Sequence, residues 1–237
     1  MRNVLAIAER ELKAYFVSPV AYVVATFFLL GTGVLFGLII NFTRTASLTP
    51  LHNNMSVLLL FLAPAVSMRL LAEEQRMGTL ELLLTAPVRD VEVVLGKYLA
   101  SLVFLVALLG LTLYYPFVLV MFGNPDRGPM LAGYLGVFLQ GAAFLAVGLL
   151  ASSLTQNQIV AGVASLFGLL VLWLADSLGS VIPGALGDAV RYLGIVAHGN
   201  DFPRGLIESS SVVYYLSLIV VALFLTVRSL EARRWRA

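Results

Sequence analysis

Long apolar runs alternate with short charged segments along this chain. A helix needs about 20 apolar residues to cross roughly 30 Å of hydrocarbon, and five stretches without Asp, Glu, Lys or Arg are long enough. One of them, residues 128–175, has double length, and the polar run SSLTQNQ at 152–158 divides it in two. The pattern predicts six membrane-spanning helices, at residues 20–41, 56–72, 98–122, 131–152, 158–176 and 212–228.

The composition supports this fold class. Hydrophobic residues make up 60% of the 237 residues, and charged residues make up 12%, about half the usual level of about 25%. Lipid accepts such a chain when backbone groups are satisfied internally, which here predicts an all-α integral membrane protein. The net charge of +2 is too small to indicate a nucleic-acid partner. The absence of Cys excludes disulfides, thiolate metal sites and cysteine nucleophiles.

The positions of Lys and Arg predict the orientation. With both termini inside, the inner segments hold eleven of these residues, and the outer segments hold four, Arg44, Arg127, Arg191 and Arg204. Basic residues favour the cytoplasmic side. We therefore expect an N-in, C-in protein of the cytoplasmic (inner) membrane, made of one transmembrane domain over residues 1–237.

Two segments outside the spans also carry structural signals. Residues 3–17 carry apolar side chains at helical spacing, which predicts a helix lying in the membrane interface; an ordinary extension of the first span is the alternative. Residues 178–208 are interrupted by Gly and Pro, which predicts short interfacial or re-entrant helices on the outer side. A folded cap without a transport role is equally compatible with that sequence.

The segment between the second and third spans is the most informative one. Residues 73–97, EEQRMGTLELLLTAPVRDVEVVLGK, hold eight charged side chains and cannot lie in hydrocarbon. Gly78 and Thr79 should break the preceding helix, with Thr79 as N-cap of a short helix. Pro87 ends that helix, and Asp90 should cap the next one.

This segment resembles the signature of ABC-2 type transporter permeases, E-x-x-x-G-T-L-E-L-L-L-x-x-P-V-x-x-x-E-x-x-x-G-K. The start RELKAYFVSPVAYVV and the end, RGLIE followed by VVYYLSLIVVALFLTVRSLEARRWR, resemble the gliding-motility branch of that family. The likeness covers essentially the whole chain. The run Asn200-Asp201-Phe202-Pro203 departs from that branch.

The resemblance implies the permease subunit of an exporter. Its partners would be a cytoplasmic ATPase and a second permease, identical or homologous. The coupling helix 79–85 would enter a groove of the ATPase, residues 3–17 would form the interfacial helix beside it, and residues 178–208 would gate the outer side. The implied coupling residues are Glu73, Glu74, Arg76, Gly78, Thr79, Leu80, Glu81, Leu83, Leu84, Thr85 and Pro87, and those of the interfacial helix are Glu9, Arg10, Glu11 and Lys13.

The chain has no phosphate-binding loop, because Gly96-Lys97 is followed by Tyr98 and no glycine stands at Val91. We therefore expect it to bind no cofactor itself, with ATP and Mg²⁺ on the ATPase. It also lacks the nucleophile or metal-ligand arrangement that an intramembrane enzyme needs. Its two histidines, His52 and His198, are expected to be solvated residues outside the spans.

Two rival functions remain open. An ATP-independent secondary transporter or channel would be expected to place ionisable residues within the spans, and the nearest candidate is Asp176 at the end of the fifth. An ATP-driven complex could instead act on an extracytoplasmic protein partner through residues 178–208.

Overall fold

The computed structural model describes residues 2–79 and 88–234, and within these it contains helices and no strand. The helices are α1 (Arg2–Val17), α2 (Pro19–Thr43), α3 (Thr49–Ser67), α4 (Arg69–Met77), α5 (Asp90–Thr112), α6 (Tyr114–Phe122), α7 (Arg127–Leu154), α8 (Gln158–Val181), α9 (Ala185–Tyr192), α10 (Ile195–Gly199), the 3₁₀ turn η1 (Phe202–Arg204) and α11 (Ser209–Arg234).

Six of the described helical segments are long and apolar enough to cross a membrane, which confirms the predicted number. They are Pro19–Thr43, Thr49–Met77, Asp90–Phe122, Arg127–Leu154, Gln158–Val181 and Ser209–Ala232. Each helix extends beyond its predicted span at one or both ends, because a helix need not end where the hydrocarbon ends. The largest difference over both ends is in the second span, whose helix runs from Thr49 to Met77 where residues 56–72 were predicted.

The second and third spans each contain a proline and are each divided into two helices. Pro64 lies inside α3, which ends at Ser67 before α4 begins. Pro116 has no N–H for the carbonyl of Thr112, and α5 gives way to α6 at Leu113. The Tyr134 hydroxyl, from α7, donates to that carbonyl at 2.9 Å. The interhelical hydrogen bond replaces the one that proline removes.

Helix α7 forms the centre of the bundle. Its spanning window is 78% buried, against 17% for α2 and 22% for α8. Small residues allow this burial, since a Cβ atom added at Gly141 would lie 2.9 Å from Leu105, and one added at Gly133 would lie 2.1 Å from the His52 ring. Glycine lets neighbouring helices approach closely.

The bundle has two chemically different ends. At the charged end, α1, α4, the start of α5 and the C-terminal parts of α7 and α11 meet. At the cap end, α9, α10 and η1 cover the bundle. There Phe202 is fully buried and Thr49 donates a hydrogen bond of 2.7 Å to the Pro203 carbonyl.

The histidines differ from the sequence prediction. His52 is fully buried in the first turns of α3, so the prediction of a solvated residue outside the spans is wrong for it. The reason is that α3 begins early and α7 covers its first turns. His198 is partly buried, and its ring stacks on Tyr214 at a centroid distance of 3.9 Å.

Candidate functional site

A buried cluster of three charges joins α1, α4 and α5 at the charged end. The Lys97 ammonium lies 2.8 Å from Glu11 Oε1 and 3.0 Å from Glu74 Oε1, and only 2% of the Lys97 side chain is exposed. Two carboxylates share one cation, so the cluster carries a formal charge of −1. We call these three residues the buried ion cluster.

The close approach of α1 to α5 makes this cluster possible. A Cβ atom added at Gly96 would lie 2.7 Å from Ile7 Cγ2 and 3.0 Å from the Val4 carbonyl oxygen, so only glycine fits between the helices. On the same interface the rings of Tyr15 and Phe104 stack at a centroid distance of 5.3 Å. Burial raises the pKa of Tyr15 above its usual range, which keeps its hydroxyl protonated.

A second polar contact fixes the start of α5. Glu92 Oε2 accepts hydrogen bonds from the Arg89 backbone N–H and from the Asn3 amide, both at 3.1 Å. The N-cap position belongs to Arg89, and Asp90 is the first helical residue. The expectation that Asp90 caps this helix is therefore wrong, because the Glu92 carboxylate reaches back to perform that role.

The remaining charges of α1 and α4 are more exposed. Arg69 forms an ion pair with Glu73, its Nε 2.8 Å from Oε2, and also donates to Ser18 Oγ. On the exposed face of α1, Lys13 lies 2.7 Å from Glu9 and lowers the pKa of that carboxyl. Arg10 and Arg76 are exposed.

Helix α4 is anchored to the end of α7. Ser152 Oγ accepts hydrogen bonds from the backbone N–H groups of Leu71 and Ala72 at 3.0 and 2.9 Å, and donates to the Met68 carbonyl at 2.9 Å. The Gln75 amide donates to the Ser153 carbonyl at 3.0 Å. A side chain from another helix thus satisfies backbone groups where α3 gives way to α4.

We expect Ser152→Ala to lower the stability of the protein by about 2 kcal/mol, because it leaves buried backbone N–H groups without an acceptor. Thermal unfolding of the purified protein in detergent measures this. Ser180→Ala is the matched control, since Ser180 is exposed and donates only to the Ser177 carbonyl. Equal effects of the two substitutions would contradict the anchoring role.

Both sides of the predicted coupling helix are described, but most of the helix is not. Gly78 ends α4 with a positive φ of 71°, and the Thr79 hydroxyl lies 3.4 Å from the Glu74 carbonyl. The predicted coupling residues Leu80, Glu81, Leu83, Leu84, Thr85 and Pro87 lie outside the described residues.

The structure buries Glu74, one of the coupling residues that the resemblance implies. Glu74 is 8% exposed and bound to Lys97, and its contact with an ATPase stays a prediction. Sequence reasoning missed Lys97, Ser152 and Gln75 as parts of this site. Lys97 stands within the signature pattern, whereas the role of Ser152 depends on which helices meet and leaves no local signal.

The family of the chain follows from comparison with known protein families. The family model described as ABC-2 type transporter matches residues 2–178, which covers the buried ion cluster, the first four spans and most of the fifth. The chain belongs to the ABC-2 type transporter family. A search of curated proteins found no match.

The permease is therefore a multi-pass membrane protein and the transport component of its system. Within the described residues, no group of three or more His, Asp or Glu side chains could hold a metal ion. The candidate site consists of buried charges that join α1, α4 and α5, next to the segment that carries the family signature.

Proposed function

We propose that this chain is the permease subunit of an ABC exporter and that a separate cytoplasmic ATPase docks on the coupling helix, residues 79–85, which we call the docking segment. The observation that carries the proposal is the buried ion cluster. Glu74 lies shortly before this segment and Lys97 shortly after it, and their ion pair of 3.0 Å fixes the two flanks of the segment to each other. Glu11 extends the connection to α1.

Such a connection suits the transmission of force. Reversing a population of 1:99 between two transporter states takes about 5.5 kcal/mol, and a loosely held loop would absorb that work by deforming. Here the flanks of the docking segment are tied to α1, to α5 and, through Ser152 and Gln75, to α7. Movement of the ATPase would thus act on three helices at once.

The sequence of the segment supports a docking role. Leu80, Leu83 and Leu84 would form an apolar stripe on a short helix outside the membrane, which is the pattern of a helix that enters a groove. Glu73 and Arg76 would supply polar contacts at its edge. ATP and Mg²⁺ would be bound by the ATPase, because this chain has no phosphate-binding loop.

Co-purification tests this proposal. The chain is expressed with its candidate ATPase, solubilised gently and captured, and MgATP hydrolysis is measured in the eluate. We expect the double variant Leu83→Asp, Leu84→Asp to insert normally. The amount of ATPase that co-purifies with it should fall at least about tenfold, since a loss of only about 1.4 kcal/mol of binding free energy lowers the affinity tenfold. The matched control is Leu186→Asp with Leu193→Asp, two exposed leucines at the cap end.

Two results would contradict the proposal. A permease that elutes alone would favour an ATP-independent transporter or channel. Loss of insertion in the Leu83, Leu84 variant would show that these leucines pack on the protein's own core.

We further propose that the permease lies in the cytoplasmic membrane with both termini inside, paired with a second copy or a homologous permease. The exposed apolar faces of α2 and α8 suit contact with lipid or with that second permease.

The likeness of both ends of the chain to the gliding-motility branch supports action on an extracytoplasmic protein through the cap end. If that action serves motility, a strain that lacks the chain should lose surface motility, and normal motility would contradict a motility role.

A further inference from the structure

A cleft opens between α1, α2, α3 and α4 at the charged end, apart from the proposed docking segment. The enclosed part of the cleft has a volume of about 80 Å³, less than the roughly 300–1,000 Å³ of a complete small-molecule site, so a ligand held here lies partly outside it. Its lining is divided in two. The polar part consists of Glu11, Tyr15, Ser18, Arg69 and Glu73, and the apolar part of Val20, Ala21, Val24, Ala65, Val66 and Leu70.

The polar part carries charges of both signs. Arg69 and Glu73 form an ion pair whose side chains are 32% and 31% exposed, so both can be reached from the cleft. Glu11 adds a second carboxylate, with 17% of its side chain exposed, and its Oε1 is already bound to Lys97. Because Lys97 offsets the charge of Glu11, the cleft presents one guanidinium and one carboxylate in balance, which complements a ligand with one phosphate and one amine.

The apolar part shows how such a ligand is held. Val20 and Val24 belong to the first span and Val66 to the second, whereas Glu11 and Glu73 lie beyond the spans' apolar stretches. The cleft therefore passes from the depth of hydrocarbon to the depth of lipid headgroups. A small water-soluble zwitterion would leave the valine surface uncovered, but an acyl chain would cover it.

The geometry points to a binding site for one aminophospholipid of the phosphatidylethanolamine class. Its phosphate accepts from Arg69, its ammonium donates to Glu73 and Glu11, and the upper part of an acyl chain lies on Val20, Val24 and Val66. A phosphatidylcholine headgroup cannot donate hydrogen bonds to the carboxylates. A phosphatidylglycerol headgroup has no ammonium to pair with the carboxylates, so its phosphate charge beside them is not offset, which selects against it.

Native mass spectrometry of the purified, delipidated full chain tests this site without any ATPase. Dioleoyl phosphatidylethanolamine, phosphatidylcholine and phosphatidylglycerol are titrated separately. We expect phosphatidylethanolamine to bind about threefold to tenfold more tightly than the other two, because the hydrogen bonds to charged groups form at a partly exposed site. Soluble glycerophosphoethanolamine at millimolar concentration should not compete, since it has no acyl chain.

Two variants locate the binding. Glu73→Gln should reduce the preference over phosphatidylcholine to less than about twofold. Ala14→Trp, at an exposed position lining the cleft, should reduce binding of all three lipids by blocking the cleft, and it decides the matter if Glu73→Gln fails to fold. Glu9→Gln, on the exposed face of α1, should change nothing.

Three outcomes would overturn the inference. Equal binding of phosphatidylethanolamine and phosphatidylcholine would remove the role of the carboxylates. Preference for phosphatidylglycerol would mean that Arg69 binds the phosphate and that the carboxylates do not select the headgroup. Unchanged binding in Ala14→Trp would place the lipid elsewhere on the surface.

Discussion

Lys97→Met should destabilise the permease by about 3–5 kcal/mol, the usual cost of removing one partner from a buried ion pair. Methionine fills much of the same space and keeps the apolar stem, so the effect comes from charge. Without the ammonium, Glu11 and Glu74 are left as two buried carboxylates with side chains only 17% and 10% exposed. Each must then be protonated, hydrated or displaced.

The measurement is thermal unfolding in detergent, together with ATPase retention in the co-purification assay. Lys13→Met is the matched control, because Lys13 forms its ion pair with Glu9 on the exposed surface, with side chains 75% and 69% exposed. Exposed pairs contribute little, so this variant should behave like the native chain. Glu74→Gln is a second control, since it removes the excess negative charge but leaves an acceptor for Lys97.

The two readouts separate structure from coupling. If the buried ion cluster holds the docking segment, the fraction of Lys97→Met that stays folded should also retain less ATPase. A variant that unfolds earlier but retains ATPase normally would leave the cluster a purely structural role. Unfolding no earlier than in Lys13→Met would mean that the cluster contributes nothing in the folded protein.

The helices could be predicted from the sequence because their signals are local. Twenty apolar residues in a row predict a span wherever they occur, and the SSLTQNQ run divides α7 from α8 because Thr155 and Asn157 belong to a turn, where the Asn157 side chain accepts from the Ile159 N–H at 2.9 Å. Similarly, Gly78 ends α4 because glycine adopts positive φ without strain.

The site was only partly predictable because it depends on which helices meet. The signature pattern singled out residues 73–97, but nothing in it distinguishes the buried Glu74 from the partly exposed Glu73 beside it. That difference arises because α4 turns Glu74 toward Lys97 of α5. His52 follows the same logic: it was expected to be solvated outside the spans, whereas α7 buries the ring over Gly133.

Substitution by alanine at two glycines, Gly148 and Gly110, should change the stability of the protein in opposite directions. Alanine favours the helix at both positions, but at Gly148 its methyl group would collide with a neighbouring helix. A Cβ atom added at Gly148 would lie 1.9 Å from Ser67 Oγ and 2.6 Å from Ser67 Cβ, and 3.1 Å from Ser165 Oγ. Gly148→Ala should therefore force α3 and α7 apart at the charged end and cost about 3 kcal/mol, the upper range for overpacking.

Gly110→Ala is the control with the opposite expectation. Gly110 lies in α5, and no atom comes within 4 Å of an added Cβ, so alanine only reduces the freedom of the unfolded chain and should stabilise by about 0.5–1 kcal/mol. Thermal unfolding of both variants in the same detergent gives the comparison.

A compensating change tests the cause. Ser67→Gly removes the two atoms closest to the added methyl group, so the double variant Gly148→Ala, Ser67→Gly should recover at least half of the lost stability, even though glycine within α3 costs about 1 kcal/mol. If the double variant is instead less stable than Gly148→Ala alone, the loss does not come from contact with Ser67, and the close approach of α3 to α7 is not what requires glycine at this position.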